Sequence, residues 1–198
     1  MQEIALFITN IDLNWSIIES VAVFFSVLYV MLTVKESIWC WGAALISVTL
    51  YIYICYNAQL YAETGLQFFY LLMAFYGYYH WNKNDSNLCI QEWTITKHLL
   101  ILLLGAILTF LMGFYFSIYT NAVMPLVDSF TTIFSILATY MVTKKVLGNW
   151  LYWIVIDAVS VYLYFSRDLH LTSLLFIVYT IIAIFGYFSW LKRKNELA

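Results

Sequence analysis

The chain has 198 residues, 64% of them hydrophobic and 10% charged, with a net charge of −2 and a mean hydropathy of +0.85. A water-soluble domain carries roughly 25% charged residues, so this composition excludes one, and the charge balance offers nucleic acid no basic face. Apolar runs of about 18 residues or more suit helices crossing a ~30 Å hydrocarbon core, while unbroken runs such as 99–106, lacking alternation, exclude a membrane β-barrel.

Residues 1–14 read as a short amphipathic lead-in, holding Glu3 and Asp12 but none of the basic residues that start a signal peptide. Polar punctuation then sets off seven spans, at 15–34, 38–56, 64–81, 98–119, 124–143, 150–165 and 171–191. The first carries Glu19 about one turn from its start. It is a candidate solute contact in an outer vestibule, the plainer alternative being a carboxylate reaching headgroup water. The third carries Gln67 and Tyr70 as candidate solute contacts. An amide in an apolar span can read a polar ring substituent, or can make an interhelical hydrogen bond worth about 0.6 kcal/mol. This span closes on Gly77-Tyr78-Tyr79-His80-Trp81. The fifth span holds Asp128 near its start and Ser135 further on, both candidates for a gate or vestibule.

The sixth span is the most informative. Trp150, Trp153 and Asp157 fall at i, i+3 and i+7, on one helical face. An aspartate at mid-span costs roughly 2.5–3.5 kcal/mol on translocon scales. A carboxylate beside two indoles suits a cationic, flat, aromatic solute, since desolvated cation–π contacts reach about 2 kcal/mol. The plain alternative is a protonated acid bonded to a neighbouring helix. Near the span ends, Trp81, Trp93 and Trp190 read as interfacial anchors, and Gly77 and Gly186 as points of close helix packing.

Charge placement supports the count of seven. Alternate loops put Lys35, Lys83, Lys97, Lys144, Lys145, Lys192, Arg193 and Lys194 on one side and only Arg167 on the other. Basic residues favour the cytoplasmic side, which predicts an external N-terminus and a cytoplasmic C-terminus.

The chain also matches itself at an offset of 109 residues. Trp41 falls on Trp150, Tyr53 on Tyr162, Leu60 on Leu169, Tyr70 on Tyr179, and Gly77-Tyr78 with Trp81 on Gly186-Tyr187 with Trp190. Ser20, Phe25, Ser26 and Lys35 fall on Ser129, Phe134, Ser135 and Lys144, and Glu19 falls on Asp128. The predicted architecture is therefore all-α and integral to the membrane. A first three-helix repeat (15–81) and a second (124–191) are joined by a linker with the fourth span (82–123), and a basic tail follows (192–198). An odd joining span makes the repeats parallel, an arrangement found in transporters with the solute site between halves. Matched positions then read as scaffold and gates, mismatched ones as the site. Asp157 and Trp153 oppose Val48 and Ala44, and Gln67 opposes Phe176.

Enzymatic readings find little to stand on. Cys40, Cys55 and Cys89 lack metal-ligand spacing, the three histidines fall near span ends, and there is no phosphate-binding glycine loop or mid-membrane lysine. No catalytic residue, metal or cofactor is expected.

In these motifs the chain resembles the Pnu vitamin transporters of nicotinamide riboside and thiamine, which share a SWEET-like arrangement of three, one and three helices. The residues that carry the likeness are Leu60-Tyr61 with Leu66-Gln67, Tyr76-Gly77-Tyr78-Tyr79 with Trp81, Asp128 with Ser135, Trp150 with Trp153, and Gly186-Tyr187 with Trp190. The resemblance implies facilitated diffusion by alternating access in the bacterial inner membrane, with the vitamin trapped by phosphorylation. It implies that Trp150, Trp153 and Gln67 line the pocket, and it allows a homotrimer. One departure stands out. Nicotinamide riboside carriers usually have asparagine where this chain has Asp157, which tilts the expectation to thiamine, with nicotinamide riboside as the alternative. A substrate-binding membrane subunit of a larger energised complex is a further one.

Overall fold

The computed structural model describes residues 17–57, 61–83, 89–120, 122–167 and 169–197. The lead-in expected at 1–14 lies outside them, as do Trp15 and Leu60. Among these residues there are seven helices: α1 (Ile17–Val34), α2 (Trp39–Asn57), α3 (Tyr61–Lys83), α4 (Ile95–Tyr119), α5 (Pro125–Thr143), α6 (Asn149–Phe165) and α7 (His170–Leu197). Each expected span has its helix. The tail expected at 192–198 instead continues α7 to Leu197, since Lys192, Arg193, Asn195 and Glu196 do not interrupt a helix and Lys192 pairs with Glu196 one turn on.

By length and apolarity α1, α2, α4, α5 and α7 can each cross a membrane. At 17 residues α6 is short for that task. The 23-residue α3 is long enough, but its tyrosines, Gln67 and His80 lower its hydropathy.

Local chemistry sets the helix ends. The Thr94 side chain caps α4 by accepting from the Lys97 N–H, and Pro125 starts α5, where a missing N–H is harmless. The turns from α1 to α2 and from α5 to α6 are the same turn. Ser37 N–H donates to Leu32 and Glu36 N–H to Thr33, while Val146 N–H donates to Met141 and Lys145 N–H to Val142. This is the paired bonding of a helix-ending Schellman motif, with one residue in the left-handed region. That residue is Glu36 (φ 54°) in the first turn and Lys145 (φ 50°) in the second, 109 positions on.

Six helices close a ring in the order α1, α2, α3, α5, α6, α7 and back to α1, with α4 outside it against α5. Helix α4 approaches closely because Gly105 and Gly113 face α5. A Cβ on either would fall 2.6 Å from Phe134 or Leu126. Its remaining surface is mostly exposed leucine and aromatic side chain, as a lipid-facing helix requires.

Two tryptophan pairs are packed inside the ring beside the α1–α2 and α5–α6 turns. Trp41 meets Trp81, and Trp150 meets Trp190, each edge to face at 5.3 Å. Gly77 and Gly186 make room, since a Cβ there would fall 2.3 Å from Trp41 and 2.7 Å from Trp150. Trp81 and Trp190 are therefore not interfacial anchors. Both are buried, and their indole N–H groups donate to the carbonyls of Thr143 and Thr33 at 3.1 Å. Those carbonyls lie at the ends of α5 and α1, and that of Thr33 also accepts the Glu36 N–H.

Candidate solute site

The polar groups that face the inside of the ring come from all six of its helices. From α1, Ser26 Oγ shares a short hydrogen bond with Tyr179 Oη of α7, and Tyr51 of α2 lies within reach of the same serine. From α5, Ser135 lies within reach of Tyr70 of α3. These pairs are again related by 109 residues. Asp157 of α6 is close enough to act electrostatically on both Tyr70 and Tyr179.

Asp157 is 4% exposed. Among the described residues its carboxylate has no basic partner. A buried carboxylate without a cation is costly, so this position suits a ligand that brings one. Trp153, one turn earlier on the same face, is half-buried and packs against both apolar clusters of the core. Gln67 is half-buried one turn before Tyr70 on α3. Tyr164, two turns beyond Asp157, stacks on Phe176 at 5.1 Å. The arrangement can hold a flat cationic ring among aromatic faces, with hydroxyls and a carboxylate to accept its hydrogen bonds.

The other expected residues lie around this centre. Trp150 sits behind it, 2% exposed, enclosed by Gly186 and Trp190. Asp128 is at the far end of the ring, where Arg167 Nη2 bonds both its oxygens at 2.9 and 2.7 Å. Ser135 lies two turns inward from Asp128, at the centre itself. Glu19 is half-buried two turns from Ser26 and acts electrostatically on Tyr51. At the opposite end, Lys145 and Arg193 pair with Glu36, and Lys194 pairs with Glu92.

Tyr51, Ser26, Tyr179 and Tyr164 were not among the expected solute contacts. Tyr51 opposes Ser160 and Tyr164 opposes Cys55, so the rule that mismatches mark the site points to both. Ser26 and Tyr179 are matched positions, and that rule passes over them. Two surface hollows, about 300 and 170 Å³, lie elsewhere, one beside Met124 and Tyr162 and one beside Trp93 and His98.

Comparison with known proteins agrees with this architecture. Residues 16–192 match the nicotinamide mononucleotide transporter family. The nicotinamide riboside transporter PnuC of Escherichia coli is 29% identical over 213 aligned positions, covering 93% of this chain and 88% of the relative. PnuC of Neisseria mucosa is 26% identical, covering 94% of this chain and 75% of its own length. The riboflavin/roseoflavin transporter RibM of Streptomyces davaonensis is 22% identical, covering 82% and 78%. A crystal structure of the vitamin B3 transporter PnuC superposes with a TM-score of 0.74 at 23% identity, covering all of this chain and 88% of that one. The chain thus belongs to the nicotinamide mononucleotide transporter family, as a multi-pass membrane transporter of the PnuC kind.

Proposed function

We propose that this protein transports nicotinamide riboside by alternating access of two parallel three-helix halves, α1–α3 and α5–α7, with α4 as the joiner. The observation that carries the reading is the likeness, over 93% of the chain, to a relative named for nicotinamide riboside transport. The buried, unpaired Asp157 agrees with it, because nicotinamide riboside carries a cationic pyridinium ring. The repeated turns and the paired Ser26–Tyr179 and Ser135–Tyr70 contacts support the two halves.

The expectation of thiamine gives way here. It rested on aspartate in place of asparagine at position 157, and a carboxylate favours any cationic aromatic solute. None of the relatives described is named for thiamine, so that substitution does not separate the two vitamins. RibM is named for a flavin, whose ring is flat but uncharged, and a buried carboxylate suits it less well.

In this proposal Trp153, Asp157, Gln67 and Tyr70 contact the solute and Trp150 supports Trp153 from behind. Glu19 and Asp128 belong to the outer vestibule, the N-terminus is outside and the C-terminus is cytoplasmic. Transport is downhill, with trapping by later phosphorylation. A homotrimer rests on the family resemblance alone. Calorimetry on the purified protein tests the substrate, with nicotinamide riboside expected to bind at least about tenfold (1.4 kcal/mol) more tightly than thiamine or riboflavin. Thiamine binding as tight as nicotinamide riboside would overturn the assignment.

A further inference from the structure

We infer that Glu36, Lys145 and Arg193 form the latch that closes the transport path at the basic end of the ring. The inference rests on the two-halves reading above and adds the residues that hold those halves together.

The backbone supplies the first argument. Glu36 and Lys145 both adopt positive φ, where glycine is cheaper than any residue with a side chain. Both turns nevertheless hold a long charged residue at that position. What these side chains gain is each other: Lys145 Nζ lies 3.1 Å from Glu36 Oε2. The second carboxylate oxygen, Oε1, receives Arg193 Nη1 at 3.0 Å. Both cations come from the second half and the anion from the first. The Glu36 and Lys145 side chains are 17% and 12% exposed, so solvent screens this pair less than an open surface pair.

Packing beneath the pair supplies the second. Trp190 of α7 donates to Thr33 of α1, and Trp81 of α3 donates to Thr143 of α5, so each half binds the other's helix end. Lys145 Nζ also lies 4.7 Å from the centre of the Trp81 ring. At the opposite end Arg167 with Asp128 and Ser166 with Met124 are ties within one half. Halves tied at one end open that end only when the ties break. Cys40 lies under the latch, fully buried with Trp81 and Trp190 and within electrostatic reach of Lys145. Cys55 is buried near the other end of the same helix.

These two cysteines make the latch testable without any solute, so the outcome is independent of which vitamin binds. With Cys89→Ser as background, N-ethylmaleimide labelling of Cys40 and Cys55 is followed by mass spectrometry. Glu36→Gly and Lys145→Gly keep the turn backbone comfortable while deleting the pairing. Each is expected to speed labelling of Cys40 about tenfold, the effect of losing one or two partly buried ion pairs. Cys55 should label at its parent rate. Glu92→Gln, which breaks the Lys194 pair on the same face, should leave both rates unchanged. The latch is overturned if Cys40 stays protected in both glycine variants. It is equally overturned if Cys55 accelerates alongside Cys40, which would mean general loosening, or if Glu92→Gln matches the glycine variants.

Discussion

The first three helices and the last three agree at the basic end of the ring and part company at its centre. From Leu32 to Trp41 and from Met141 to Trp150 the local backbone hydrogen bonds correspond, down to the left-handed residue, and the second turn adds a pairing with Gln91. Beyond the turns, each half sets a tryptophan pair against a glycine at the same spacing. Midway along α2 and α6 the correspondence fails. There α2 presents Val48 and Tyr51, and α6 presents Asp157 and Ser160. The outer ends differ too, since Arg167 neutralises Asp128 while the position matching that arginine is Ala58. Two halves that must move alike need equal hinges and equal cores. A solute without twofold symmetry needs unequal contacts. On the proposed function, the difference between the regions separates machinery from recognition.

If the cores are equal, they should fail equally. Trp41→Ala and Trp150→Ala each remove a ring that is nearly inaccessible and leave its glycine partner facing a void. Each should destabilise the fold by about 3–5 kcal/mol. Thermal unfolding in detergent measures both. A large loss in one and almost none in the other would break the equivalence.

Much of this was legible in the sequence, for physical reasons that also mark where legibility stopped. The bilayer imposes long apolar runs, so the spans showed, and the offset of 109 matched Trp41 to Trp150, Trp81 to Trp190 and Gly77 to Gly186 without indicating that they pack on one another. Trp81 and Trp190 misled because a tryptophan near a helix end looks the same whether it faces headgroups or a neighbour's carbonyl. Nothing in the sequence marks Glu36, since neither its left-handed backbone nor its two cations are local in sequence. Asp157 stood out as an acid within an apolar span, but one carboxylate reports charge and says little about which cationic ring it would serve.

Asp157 offers the next sharpest test of the comparison. Asp157→Asn preserves shape and removes the charge, weakening a charge-assisted interaction worth about 1.5–3 kcal/mol. Nicotinamide riboside affinity should fall tenfold or more by calorimetry, with the melting temperature retained. Val48→Ile at the matching position of α2 should leave affinity within twofold of the parent, about 0.4 kcal/mol. Equal losses at both positions would mean that the centre is as symmetric as the ends.

The smallest expected effect concerns Tyr51, where the halves differ by a whole aromatic ring. Its hydroxyl lies within reach of Ser26, which bonds to Tyr179, so Tyr51 is the third member of a group whose other two members have twins in Ser135 and Tyr70. Tyr51→Phe keeps the ring and its packing and removes only the hydroxyl. Ser26 keeps Tyr179 as a partner, so no buried polar group is stranded and stability should hold. If the hydroxyl is there for the solute, affinity should fall about fivefold, near the ~1 kcal/mol of one neutral hydrogen bond. Ser160→Ala, at the twin position, removes a buried hydroxyl from the other half. It should leave affinity close to the parent, because that side of the ring already offers Asp157. Calorimetry on the two variants compares like with like. A loss from Ser160→Ala as large as that from Tyr51→Phe would move the asymmetry of recognition away from α2 and leave Asp157 as its source.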